Sequence, residues 1–263
     1  MQYRYRYITT STFTPAIEWH FFKLRAVPCQ NEFQRLLSSR IEVSPTCHLN
    51  ENLDGLGNVV QWGSFDFAHM TFSIVSEGVV EQSQPYRLNE EPAAYYRTPT
   101  RLTSASDEMQ RAASSCMPPE STVFARARTL MHLVHRHITY APGSTTTDTT
   151  AIEVWNTRVG VCQDFAHLMI ALCRAQGIHA RYANGLIMGE GQTHAWVEVS
   201  DGQQWLPFDP THDVEPLYGY VKIAHGRDAD DCPTNRGRFY SWTHEVMNAQ
   251  TILNEEKDPA DQQ

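Results

Sequence analysis

The spacing of apolar residues changes twice along this chain, and those changes restrict the layers it can build. From Met1 to about Gln82 the pattern alternates in "MQYRYRYI" and "AHMTFSIVSEGVVE", while "EWHFFKLRAV" and "QRLLSSRIEVSP" are rich in aromatic and branched side chains. A period of about 2 belongs to a strand with one buried face, and branched and aromatic residues suit its pleated surface. Between these runs, "LNENLDGLGNVVQWG" supplies Asn, Asp and three glycines, residues that accept positive φ in tight turns. An antiparallel β-sandwich is expected over residues 1–82.

The three prolines of "QSQPYRLNEEPAAYYRTPT" then suggest a linker at 83–105. In "PPESTVFARARTLMHLVHRHITYAP", Phe124, Ala127, Leu130, Met131, Val134 and Ile138 recur at helical steps, with Pro119 near the start. Thr150 and Glu153 in "TTAIEVWNTR" have capping-box spacing, which predicts a short helix. The next helix opens at Cys162, presents Phe165, Leu168, Met169, Leu172 and Ala175 as one stripe, and is placed to end at Gly177. Beyond it the period returns to about 2 in "HARYANGLIMG", "THAWVEVS" and "QWLPFDP", with "SDGQQ" as a hairpin turn. "GRFYSWTHEVMNAQTIL" can close a sheet edge, and "NEEKDPADQQ" reads as a disordered tail. Helices followed by an antiparallel sheet is an α+β order, with a second domain at 106–253 and a tail at 254–263.

With 263 residues and 41% hydrophobic content the chain can bury a core without staples. The 30 acidic against 21 basic residues, net charge −9, exclude nucleic acid or an anionic membrane as the main partner, because phosphate binding needs clustered cations. No segment approaches the ~18 apolar residues of a membrane span, and "MQYRYRYITTSTFTP" lacks a signal-peptide core, so a soluble, cytoplasmic protein is expected. The six cysteines show no C-x-x-C pairs, which predicts reduced thiols and no metal or other cofactor.

Cys162 stands at a helix N-terminus, where free N–H groups and the macrodipole favour an anion, and the thiolate is the form of cysteine that attacks carbonyls. Taken alone, it reads first as a small core residue. Cys173, mid-helix, is expected to be core. A nucleophile needs a base and the base an orienting group. In "THAWVEV", His194, Trp196 and Glu198 share one strand face while Ala195, Val197 and Val199 share the other. Asp209 ends the next strand, just before a proline. If Glu198 lies opposite Trp205, His194 faces Asp209, and a Cys162, His194, Asp209 triad is allowed.

His132, His135 and His137 lack partnering Cys or Asp ligands nearby and are expected on a solvated helix face. His167 should project elsewhere on its helix, and His212 in "DPTHD" is a rival to His194 that lacks a strand to orient it. Trp196 and Trp205 could wall a substrate groove or belong to the core.

Three of these stretches, "GVCQDFAHLMIALCRAQGIHARY", "THAWVEV" and "WLPFDPTHD", occur in the order nucleophile, base, acid. In that order they resemble the transglutaminase-like superfamily, a branch of the papain-like fold. "HGRDADDCPTNRG" is similar to the segment after the acid in bacterial members, and the first half with "DGLGNVVQW" to their β-rich N-terminal domain. The resemblance implies a papain-like catalytic core at 106–253 and thiol acyl transfer on a protein or peptide carboxamide or peptide bond. Cys162 would be the nucleophile, His194 the proton shuttle and Asp209 the orienting acid. The oxyanion would sit on the Cys162 N–H and a second, unassigned donor. A cysteine protease or amidohydrolase is the expected activity. A protein-glutamine transglutaminase and a non-catalytic peptide-binding module are the alternatives. Gln163, where many relatives carry Arg, and His179, where Pro is common, leave the three positions intact.

Overall fold

The computed structural model describes residues 1–240 and 242–256. Strands β1 (Gln2–Ile17), β2 (His20–Leu24), β3 (Gln34–Ser44), β4 (Asn50–Leu53), β5 (Val59–Phe65) and β6 (His69–Gln82) come first. Helices α1 (Asp107–Cys116) and α2 (Val123–His137), strand β7 (Thr139–Tyr140), helix α3 (Ala151–Thr157), strand β8 (Val159–Gly160) and helix α4 (Cys162–Ala175) follow. The rest is strand: β9 (His179–Ile187), β10 (Gly189–Gly191), β11 (His194–Ser200), β12 (Trp205–Phe208), β13 (Tyr220–Gly226), β14 (Asn235–Phe239) and β15 (His244–Glu256). The α+β class expected from the apolar periods is observed.

Alternation in β1 buries Tyr3, Tyr5 and Tyr7 and exposes Gln2, Arg4 and Arg6. It lies in a sheet of order β10-β15-β1-β6-β3, against a second sheet of order β14-β2-β5-β4. Aromatic rings fill the space between, with Phe22 of β2 and Phe72 of β6 4.7 Å apart. The sandwich is therefore not built by residues 1–82 alone, because β10, β14 and β15 return from the second half to complete both sheets. Residues 254–256, expected in the tail, extend β15 opposite Gln2, Tyr3 and Arg4. The remainder of that expected tail, 257–263, lies outside the described residues.

A third sheet, β12-β11-β9-β13, carries α4 on one face. Thr150 and Glu153 form the expected capping box, and Gly177 ends α4 at φ 71°. Thr122 caps α2, which leaves Pro119 outside that helix rather than in its first turn. One expectation for α4 needs correction: it is buried all round from Asp164 to Arg174, not along a single stripe. Sequence periodicity misses this because its polar residues find partners inside. Arg174, for example, donates to the carbonyls of Tyr96, Ala180 and Arg227 and to Thr103 Oγ1.

The segment 83–105 is likewise more than a linker. Its Tyr86, Leu88 and Tyr96 pack with Trp196 and Trp205 into a second core on the sheet face opposite α4. Both tryptophans are fully buried there, so neither walls a groove. Within this layer Glu198 accepts from Arg181 Nε at 2.6 Å, Lys222 Nζ at 2.7 Å and Tyr86 Oη at 2.6 Å. Burial alone would raise its pKa, but the two cations hold the carboxyl far below the usual range. Its contribution to stability is thus present above the ordinary carboxylate pKa and lost only in strong acid. Glu198→Gln leaves buried Lys222 without a counter-charge and Arg181 with only the half-exposed Glu90, and is expected to cost about 3–5 kcal/mol, measured by urea unfolding. A loss of a few tenths would show that the cluster is not electrostatically coupled.

Candidate active site

α4 begins where β8 ends, and the junction is tight. A Cβ on Gly160 would meet Asp164 Cβ at 2.7 Å, so only glycine fits. Asp164 accepts from the Val161 N–H at 2.8 Å and from Thr145 Oγ1 at 2.6 Å, tying the helix start to the preceding loop. Cys162 is thereby held in the first turn of α4, where backbone N–H groups have no partner within the helix.

β11 separates its two faces as alternation requires: Ala195, Val197 and Val199 join the core under α4, and Trp196 joins the second core. The hairpin register differs from expectation by two residues, with Glu198 opposite Pro207 and Ser200 opposite Trp205. A shift of two preserves the face, and a diagonal neighbour is still within reach of an imidazole. His194 Nε2 accordingly donates to Asp209 Oδ2 at 2.8 Å, and the Trp196 ring lies behind His194 at 6.4 Å, nearly parallel.

Asp209 is fully buried and accepts five hydrogen bonds. Besides His194, Oδ2 receives His212 Nδ1 and Tyr220 Oη, each at 2.7 Å, and Oδ1 receives the N–H groups of Thr211 and His212. Burial pushes this carboxyl up, but the donors outweigh it and hold the group well below the usual range. Burial would likewise push His194 down. Hydrogen bonds and charge from Asp209 and Cys162 instead raise it from 6.5 to about 9, a value that belongs to the coupled group. Because Nε2 is committed to Asp209, Nδ1 is the ring nitrogen left for another partner.

Tyr220 is a contribution that the linear sequence does not reveal, and His212, expected as a rival, joins the site in another way. His212 does not replace His194; it shares Asp209 with it, from a half-exposed loop position. The histidines of α2 are not on a free solvated face. His132 bonds Asp213 at 2.5 Å, His135 the Pro210 carbonyl at 3.1 Å and His137 the Trp155 carbonyl at 2.9 Å, so the first two brace the loop after Asp209. His167 is buried, accepts from the Ala229 N–H, and is pushed down to about 3 by burial, which keeps it neutral. The ligand atoms of His194, Asp209 and His212 lie within 4.8 Å of one another, a spacing that also suits a divalent cation.

Cys162, Thr193 and His194 line two clefts that meet at the thiol. One, about 810 Å³, runs past Tyr140, Met188 and Glu190. The other, about 420 Å³, runs past Tyr182, Asn184 and the 229–236 segment. Cys173 is fully buried, its thiol pushed up to about 12 by burial, and Cys232 higher still. Iodoacetamide at neutral pH is expected to label Cys162 first and to spare Cys173 and Cys232 in the folded protein. Peptide mapping checks this, and uniform slow labelling of all six cysteines would contradict it.

Among the described residues no helix is long and apolar enough to cross a membrane. The profile described as the transglutaminase-like superfamily matches residues 110–210, and that of the bacterial transglutaminase-like N-terminal region matches residues 3–81. An uncharacterized Mycobacterium tuberculosis protein is 28% identical over 91% of this chain and 85% of its own length. A Pseudomonas aeruginosa protein-glutamine gamma-glutamyltransferase is 30% identical over 59% of this chain and 25% of its own length. The crystal structure of a candidate cysteine protease from Cytophaga hutchinsonii superposes with a TM-score of 0.81 at 26% identity, covering 98% of this chain and 92% of that one. The chain belongs to the transglutaminase-like superfamily, with the bacterial N-terminal region preceding its core.

Proposed function

We propose that this protein is a thiol-dependent acyl-transfer enzyme that acts on a carboxamide or peptide bond of a protein or peptide, as a cysteine peptidase or amidohydrolase. The observation that carries the reading is the 2.8 Å bond from Asp209 to His194, beside a cysteine that opens into two clefts at a helix N-terminus. Cys162 passes its thiol proton to His194, Sγ attacks the carbonyl carbon and the C=O π pair moves to oxygen. Collapse of that tetrahedral species expels the amine, which takes its proton from His194, and leaves a thioester on Cys162. Water activated by His194 then releases the acid. Two clefts meeting at the thiol suit a substrate that extends on both sides of the reacting carbonyl. The six free thiols fit a reducing, cytoplasmic setting.

The likeness to a protein-glutamine gamma-glutamyltransferase favours a second reading, in which an amine intercepts the same thioester. Both are tested by incubating the protein with peptides carrying glutamine and backbone amides, with and without methylamine, and reading the products by mass spectrometry. Hydrolysed product that persists in the presence of methylamine is expected. Predominant methylamine conjugates would favour the transferase, and no product above a Cys162→Ala control would leave the binding-module alternative. EDTA is expected to leave turnover unchanged. Its loss on chelation would favour a metal held by His194, Asp209 and His212.

A further inference from the structure

The N–H of Cys162 can supply one donor to an oxyanion, but a second must stand in the same cleft with its proton uncommitted. Among the polar side chains of the smaller cleft, Gln163 belongs to α4, and Tyr182 and Asn184 to β9, which packs against it. The Gln163 amide is turned towards the Thr147 carbonyl, 3.4 Å away. Asn184 Nδ2 donates to the Cys232 carbonyl at 2.6 Å, and its Oδ1, which can only accept, is buried without a partner. Tyr182 differs. It sits on β9 directly opposite Val197, on the face that carries α4, with its ring 5.4 Å from that of His167. It is 5% exposed, and that exposure is to the cleft it shares with Cys162.

We propose that the Tyr182 hydroxyl is the second oxyanion donor, acting with the N–H of Cys162; the proposal rests on the acyl-transfer reading above. Burial keeps the phenol protonated and the charge of Cys162 acts next in the same direction, so the hydroxyl keeps its proton to donate. When the thiolate forms the C–S bond and the C=O π pair becomes an oxyanion, Tyr182 donates to that oxygen. When the pair returns and the leaving group departs, the hydrogen bond relaxes, with no net transfer from tyrosine. Tyr140 also feels the charge of Cys162, but it is 53% exposed and lines the other cleft, where water competes for the same role.

Two probes separate this role from a structural one. Acylation by p-nitrophenyl acetate passes through an oxyanion and needs no particular peptide sequence, whereas alkylation by iodoacetamide is a displacement at carbon that forms none. Tyr182→Phe is expected to slow the p-nitrophenol burst about 100-fold while the iodoacetamide rate at Cys162 stays at the wild-type value. An unchanged burst in Tyr182→Phe would overturn the assignment. Equal slowing of both reactions would show that Tyr182 positions the thiol instead. A wild-type protein with no burst above Cys162→Ala would remove the acyl-transfer reading itself, and the assignment with it.

Discussion

Cys162→Ala is expected to lower turnover of a peptide amide by about 10⁴-fold or more, because the other thiol lining the clefts, Cys232, is fully buried and held protonated by that burial. The fold should survive. Cys162 is only half-buried, and the helix start is held by the Asp164 bond to Val161 and by the fit at Gly160, neither of which uses the sulfur. Thermal melting of the variant should therefore overlay the wild type while product formation falls to background. Retained turnover would exclude Cys162 as nucleophile, and a collapsed melting curve would assign the cysteine to packing.

Asp209→Asn should be nearly as costly, by about 10³- to 10⁴-fold in kcat. The carboxylate receives His194, His212 and Tyr220 on one oxygen. An amide placed there must turn either its NH₂ or a single oxygen towards those three donors. If the NH₂ meets His194, Nε2 becomes the acceptor and Nδ1 keeps its proton, the wrong tautomer for taking one from Cys162. The pH profile gives a second readout. In the wild type His194 titrates near 9, so the imidazolium that protonates the leaving amine persists to that pH and activity falls as pH rises through it. The stability from this ion pair follows the same sign, fully present below 6.5 and lost as pH climbs through about 9. Removing the Asp209 charge should move the alkaline limb of kcat/KM towards 6.5, and an unmoved limb would show that Asp209 does not set the His194 protonation state.

The positions of Cys162, His194 and Asp209 at a helix start, a strand end and a pre-proline strand end are legible in the sequence because each rests on a local rule. Alternation also gives the correct face for His194. It cannot give the register, since a slide of two residues keeps every face. Here the turn decides, as Asp201 Oδ1 accepts from the N–H groups of Gln203 and Gln204 and places Ser200 opposite Trp205. What is not legible is non-local. Tyr86, Leu88 and Tyr96 sit in a proline-rich segment without periodicity, so their burial in the second core leaves no pattern. The bracing of the 210–213 loop by His132 and His135 joins residues about seventy-five to eighty positions apart. The pairing of β15 with β1 joins the two ends of the described chain, and polar Asn254 to Glu256 resemble a tail until Gln2 to Arg4 are placed beside them.

The proposed reaction requires a covalent acyl intermediate on one thiol. Acid-quenching the protein during reaction with p-nitrophenyl acetate, followed by intact-mass measurement and peptide mapping, tests it directly. The expected result is one acetyl group per chain, carried by Cys162 as a thioester, cleared by hydroxylamine and absent from Cys162→Ala. Acetylation spread over several side chains, or an equal yield in Cys162→Ala, would contradict it.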